Sequence, residues 1–407
     1  MIKVQPGGKA KGGTAVWVIV AAVIAVALIC CAVARNSGGG DDDSGAGVPP
    51  ARVVESTAAA SCPAIGFLGA AELGPDAFHV RQAVQLAVKE YNRKSSSRCY
   101  VRLVEADTKH AAPSDVTAAL NQFGRDVLGV VGPLRNADVG QAGFWFDEAG
   151  LPFITPSVGD PIAATFGVRT FHRLYPTDLD VADAAASLLK DRLKAPKVFV
   201  VRHGFDNDKR IAERLQRSTD VQVVATAEVG VAPESWTAVV DRIRSLGSQS
   251  VYFTGFAGEA AVFAKALRAG GFAGPLVGGE ALLDPEYAAV AGPAGANTFA
   301  TCGCGEPLDS TFAAAFRAEF KEEPGRRASL AFDAATLLLN AIADGARDRA
   351  AVQAFLADGP FFLSQGAVTF TATGDLDRDN VVVNVYRPDT SATTKPGMLP
   401  VAALHLT

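Results

Sequence analysis

Six short segments of this 407-residue chain end in side chains suited to recognising a small solute. Arg135 and Asn136 follow the run LGVVGP, and Ser157, Val158 and Gly159 follow PFITP. Asp178 follows FHRLYPT, Phe205 follows KVFVVR, Phe256 follows SVYFTG, and Glu280 closes PLVGGE. An arginine can grip a carboxylate through two parallel hydrogen bonds; the alternative for Arg135 is a solvated loop arginine. Ser157 can donate its hydroxyl, with neighbouring N–H groups facing an anion, or it can serve a turn. Phe253 and Phe256 can pack the apolar part of a ligand, although core packing is the commoner use of an aromatic ring. Glu280 is a binding carboxylate or a solvated strand-end acid. Asp178 can cap the helix that follows.

This is the chemistry of recognition. Neither a GxGxxG nor a GKS/T loop follows any apolar run, and no G-x-S-x-G elbow or HExxH occurs. The five histidines, His79, His110, His172, His203 and His405, are scattered. No cofactor and no catalysis are therefore expected. A cleft hydrolase with Glu280 as base is the minor enzymatic alternative. A net charge of -5 without a basic stripe argues against a nucleic-acid partner.

The elements that must position these residues repeat one unit from Ala64 to Glu280. A β-rich apolar run is followed by a Gly/Pro or polar break and then an amphipathic helix. The runs are AIGFLG, YVRLVEAD, LGVVGP, PFITP, KVFVVR, VQVVATAEV, SVYFTG and PLVGGE. Strands alternating with helices give parallel sheets covered on both faces, with ligands held beyond the strands' carboxyl ends. The pattern restarts after Phe171-His172-Arg173, which predicts a second sheet. Helices are predicted over 310–321, 328–344 and 349–356. GAVTFTATGDLDRDNVVVNVYR then reads as a hairpin patching a sheet edge, with a tail ordered only in part beyond Tyr386.

Ala15–Ala34 is uniformly apolar and, at about 1.5 Å rise per residue, spans roughly 30 Å, the thickness of a bilayer core. Lys3, Lys9 and Lys11 precede it and Arg35 follows. The positive-inside bias predicts a single-pass anchor with residues 1–14 cytoplasmic. A cleaved signal peptide and a lipoprotein acylated at Cys30 or Cys31 are the alternatives, and all three place the folded part outside the cytoplasm. Asn36–Pro50 reads as a tether. Cys62 and Cys99 open consecutive strands, which favours a disulfide between them; two buried thiols are the alternative. Cys302 and Cys304 form a C-x-C pair, open to a local disulfide or to two free thiols, with the disulfide favoured.

Several segments, in order, resemble the extracytoplasmic Leu/Ile/Val-binding-protein family, the type 1 periplasmic binding fold. They are LGPDAFHVRQAVQLAVKEYN, LVEADTKHAAPSDVTAAL, GVVGP, LPFITPS, FHRLYPTD, PLVGGEALLDPEY and AFDAATLLLNAI, and together they span Ala64 to about Tyr386. Their joint order and spacing carry the resemblance. It implies a two-lobed α/β fold, with two parallel sheets flanked by helices, behind the N-terminal transmembrane helix. It implies lobe 1 from 61–174 plus 306–357, lobe 2 from 175–305 plus 358–390, a linker at 35–60 and a tail at 391–407. A small amino-acid-like ligand would be trapped between the lobes and passed to an ABC transporter permease. Glu280 matches the acid that receives the ligand ammonium, Asp178 a supporting acid, and the loops at Arg135-Asn136 and Ser157-Val158-Gly159 the carboxylate site. This chain departs from the pattern at Gly159, where relatives often carry Thr, and at Asn207-Asp208, where they carry Tyr-Gly. A membrane-tethered sensor or adaptor using the same cleft is the alternative function.

Overall fold

In the computed structural model, residues 62–95, 100–109, 113–230, 236–304, 311–388 and 398–406 are described. The predicted anchor and tether lie outside them. Among the described residues no helix is long and apolar enough to cross a membrane.

Lobe 1 is built on five parallel strands: β1 (Ala64–Gly69), β2 (Arg102–Asp107), β3 (Val127–Val131), β4 (Phe153–Thr155) and β5 (Phe171–Arg173), in the order β2-β1-β3-β4-β5. β1, β3, β4 and β5 are buried along their whole length, and the first three read as apolar runs, whereas β5 is Phe-His-Arg and edge strand β2 is mostly half-buried. Helices α1 (Pro75–Lys94), α2 (Pro113–Leu120) and α3 (Asn136–Glu148) follow the first three strands. Three later helices return to this lobe: α9 (Thr311–Phe320) against α1, α10 (Ala328–Ala343) against α1 and β3, and α11 (Arg349–Ala357) against α10 and β3. Gly129 in β3 lets α10 approach closely: a Cβ there would stand 2.5 Å from Leu338 Cδ2.

Lobe 2 continues from Thr177. β6 (Lys197–Arg202), β7 (Gln222–Glu228), β8 (Ser250–Phe253), β9 (Leu276–Gly278) and β10 (Thr298–Cys302) pair in parallel. α4 (Asp178–Ser187), α5 (Asp206–Arg217), α6 (Thr237–Ser245), α7 (Ala257–Ala269) and α8 (Pro285–Ala291) accompany them. Helix α4 starts in a reciprocal capping box. The Thr177 hydroxyl accepts from Asp180 N at 3.1 Å, and the Asp180 carboxylate accepts from Thr177 N at 2.9 Å. The cap is thus Thr177, and Asp178 is the first helical residue.

The C-terminal stretch differs from the predicted hairpin. β12 (Gly366–Val368) pairs back onto β11 (Phe361–Leu363), while β13 (Val382–Pro388) crosses to lobe 2 and pairs antiparallel with β10 and β14 (Met398–His405). The reason lies in the Gly/Asp turn. Arg173, fully buried at the end of β5, donates its N–H to Gly374 O at 2.9 Å and pairs with Asp375. The turn is therefore anchored on lobe 1; it closes only a short hairpin, with Phe370 bridged antiparallel to Leu376, before β13 leaves for the other sheet. Residues 398–405, read as part of a loose tail, complete the sheet as its edge, in the order β14-β13-β10-β9-β8-β6-β7. Weak alternation and Pro400 hid that strand in the sequence.

Cys302 and Cys304 form the favoured local disulfide. Cys62 is disulfide-bonded, and the Cys99 expected as its partner lies outside the described residues.

Gly129→Ala should overpack the β3–α10 contact and cost about 1–3 kcal/mol, read as a lower urea midpoint with an unchanged slope.

Candidate ligand cleft

The predicted site residues fall on loops at the carboxyl ends of the strands of both sheets, where local hydrogen bonds fix them. Thr155, buried at the end of β4, donates to Pro133 O at 2.8 Å. Its oxygen accepts from Ser157 N at 3.3 Å and Val158 N at 3.2 Å. Ser157 Oγ donates to Leu134 O at 2.9 Å, which ties the loop after β4 to the loop after β3. Asn136 Oδ1 accepts from Asp160 N at 3.3 Å. From below, Arg173 Nη1 donates to Val158 O at 3.2 Å and Asp160 O at 2.9 Å. Four of the predicted residues, Asn136, Ser157, Val158 and Gly159, therefore belong to one ledge on lobe 1.

Arg135 is engaged elsewhere. Its Nε donates to Asp138 at 2.9 Å, Nη2 donates to Thr108 Oγ1 at 2.6 Å and to Asp138 at 3.2 Å, and Nη1 donates to Lys109 O at 3.0 Å and pairs with Glu72. All its donors are met inside lobe 1, around the buried Asp138 carboxylate. In this structure the guanidinium braces the loops after β1 and β2.

Asp178 joins the lobes. Its N–H donates to Gly159 O at 2.8 Å, and its Oδ2 accepts from Asn207 Nδ2 at 2.6 Å. A Cβ at Gly159 would collide with Asp178 Oδ1, so the acid fills the space that a side chain at 159 would need. Burial pushes the Asp178 carboxyl up to about 6; the Asn207 bond opposes that, and the nearby Asp160 and Glu280 charges add to it. On α5, Arg210 Nη2 grips both Asp160 oxygens across the lobe boundary, at 2.8 and 2.9 Å.

Glu280 begins the turn after β9. Its Oε2 accepts from Tyr175 Oη at 2.9 Å and from Arg327 Nη2 at 2.6 Å, while Arg326 Nε stands 3.8 Å from Oε1. Arg327 also donates to Asp76 at 2.5 Å and lies over the Tyr175 ring, 5.8 Å from its centroid. Burial works against the Arg327 charge, but Glu280, Tyr175 and Asp76 together raise its pKa. Tyr175 is itself pushed well up, first by burial and then by Glu280.

Phe205 and Phe256 precede α5 and α7. Each ring is 53% exposed, and they meet edge to face at 6.1 Å. His203, buried, stacks on Phe205 at 5.9 Å and holds its Nε2 2.6 Å from Glu259. By contrast, Phe253 is core. A cavity of about 460 Å³ at the ends of β1 and β2 is lined by lobe 1 alone and includes neither Ser157 nor Glu280.

Sequence reasoning missed Tyr175, Arg173, Asp160, Asp76, Arg326 and Arg327 as site elements. One signal was present. Two arginines directly before a long helix oppose its dipole, so an acidic partner is required there.

A family model described as periplasmic binding protein matches residues 69–387. The chain belongs to the periplasmic binding protein family. A curated relative, Leu/Ile/Val-binding protein homolog 3 of Brucella melitensis, is 24% identical over 306 residues, covering 73% of this chain and 83% of its own. The branched-chain amino acid transporter substrate-binding protein of Streptococcus pneumoniae, solved with isoleucine, superposes with a TM-score of 0.69 at 21% identity, over 84% of this chain and 100% of its own. A solute-binding protein of R. palustris, solved with 4-hydroxybenzoate, gives 0.68 at 17% identity, over 84% of this chain and 97% of its own. The structural likenesses agree with the two-lobed fold, and the curated relative is a Leu/Ile/Val-binding protein homologue.

Arg135→Ala should leave Asp138 buried without a cation and cost about 3–5 kcal/mol in urea unfolding. An unchanged midpoint with lost ligand binding would instead assign Arg135 to the ligand. Asp178 carries a pKa raised from 3.8 to about 6, so its favourable contribution is complete below pH 4 and lost as pH rises through 6. Asp178→Asn should therefore gain stability relative to the parent by roughly 3 kcal/mol between pH 4 and pH 7, measured by denaturant titration at each pH.

Proposed function

We propose that this protein is an extracytoplasmic solute-binding receptor. It captures a small amino-acid-like ligand, an amino acid or a related carboxylate, between its lobes and delivers it to an ABC transporter permease. The apolar segment Ala15–Ala34 holds it at the membrane. One observation carries the reading: strand-end loops of two parallel sheets meet through side chains that cross from lobe to lobe, Asp160 to Arg210 and Glu280 to Arg327. Such contacts are absent from an opened hinge, so they belong to a closed form that a ligand can favour by adding its own. Ser157, Val158, Gly159, Asn136 and Asp178 form one wall, and Phe205, Phe256 and Glu280 the other. The relatives named above include an isoleucine complex and a 4-hydroxybenzoate complex, and both ligand chemistries fall within this reading.

A thermal-shift panel of amino acids, short amides and small carboxylates tests it. A ligand at about 100 times its Kd should stabilise the protein by about 2.7 kcal/mol, with a dose-dependent rise in Tm. A flat response across the panel would refute capture. Retention of ligand-loaded protein, but not ligand-free protein, by vesicles bearing the permease tests delivery.

A further inference from the structure

We infer that the solute of this cleft is an anion that lacks an α-ammonium: a carboxylate on an aromatic body, met by Arg326 at its charged end and by Phe205 and Phe256 at the other. The inference rests on the receptor reading above and narrows its ligand.

Glu280 can hold an ammonium only if its charge is unclaimed. Here one oxygen already accepts from Arg327 at 2.6 Å and Tyr175 at 2.9 Å, with Arg326 at 3.8 Å from the other. An incoming ammonium would be a third cation beside one carboxylate, and it would have to displace a guanidinium that Asp76 also holds at 2.5 Å. Two acids and two guanidiniums balance in this group, so it offers nothing to a further positive charge.

It does offer something to a negative one. Arg326 Nη1 is buried and has no hydrogen-bond partner among the described residues. Its acidic neighbour among the described residues, Glu280, stands 3.8 Å from Nε, too far for a hydrogen bond, and gives its other oxygen to Arg327 and Tyr175. A buried donor without an acceptor is unfavourable, and a ligand carboxylate supplies the acceptor.

The other end of the ligand is indicated by the two half-exposed phenyl rings. Asn207 and Arg210, on the helix that Phe205 opens, bond to Asp178 and Asp160, which puts these rings at the lobe boundary. The two rings stand nearly perpendicular beside a buried histidine and form an apolar corner, against which another ring can pack by its face or its edge.

Asp178 accepts from Asn207 and has no ion pair among the described residues, and it is therefore the group that could contradict this inference. Its carboxylate faces Asn207 and the Gly159 backbone, with Asp160, Glu280 and Arg173 nearby.

The test titrates the full chain calorimetrically with matched pairs, 3-phenylpropanoate against L-phenylalanine and benzoate against benzylamine. The amine-free carboxylates should bind at least about tenfold more tightly. Arg326→Ala should weaken them by about tenfold or more, and Arg327→Gln, which uncovers Glu280, should narrow or invert the preference. If L-phenylalanine or leucine binds as tightly as 3-phenylpropanoate, the inference falls and the receptor reading stands. Loss of that binding in Asp178→Asn would then locate the ammonium. If no compound of either class binds, both fall together.

Discussion

The hydrogen-bonded pair between Glu280 and Arg327 decides what the rest of this molecule can do. It joins the turn after β9 in one lobe to the start of α10 in the other, and Asp76 extends it to the start of α1. Charge pairs of this kind, enclosed but not sealed, are held by geometry and by satisfaction of every donor more than by raw attraction. The Tyr175 hydroxyl bonds the same Glu280 oxygen and its ring lies against the Arg327 guanidinium. The same interaction thus sets the relative position of the lobes and consumes the charge with which Glu280 would otherwise greet a ligand.

Around that contact the site is assembled from elements that cannot move independently. Arg173 is the clearest case. Buried at the end of β5, it reaches the backbone of Val158 and Asp160 on one side and the turn at Asp375 on the other. It joins the ledge formed by the loop after β4 to the last chain crossing. Thr155 performs a smaller version of the task, folding its own loop and bonding to Pro133. Rigid support of this kind lets loops act as a binding surface on a stable scaffold.

Much of the fold was legible because buried parallel strands announce themselves as continuous apolar runs: β1, β3, β6 and β8 could hardly be read otherwise. β5, with the three residues Phe171–Arg173, and β14 were not legible, since neither is long or regular enough to show a period. The positions of the candidate site residues were readable from their place after each strand. Their partners were not. Arg327 is 47 residues from Glu280 and 251 from Asp76, and no local pattern connects such distances. Arg135 shows the same limit from the other side: its type suggested a ligand clamp, and its neighbours make it a brace. The missing Thr at Gly159 was visible in the sequence, whereas the acid occupying its space was visible only in three dimensions.

Two of the chain crossings between lobes touch each other. Gly303, between the bridged Cys302 and Cys304, stands where any Cβ would strike the Pro176 ring, and the Tyr175 hydroxyl is 3.3 Å from Cys302 Sγ. The straps are thereby fused into a single bearing. The chain crosses between the sheets here through two segments braced side by side, the Cys302–Cys304 bridge on one and the Tyr175-Pro176 pair on the other.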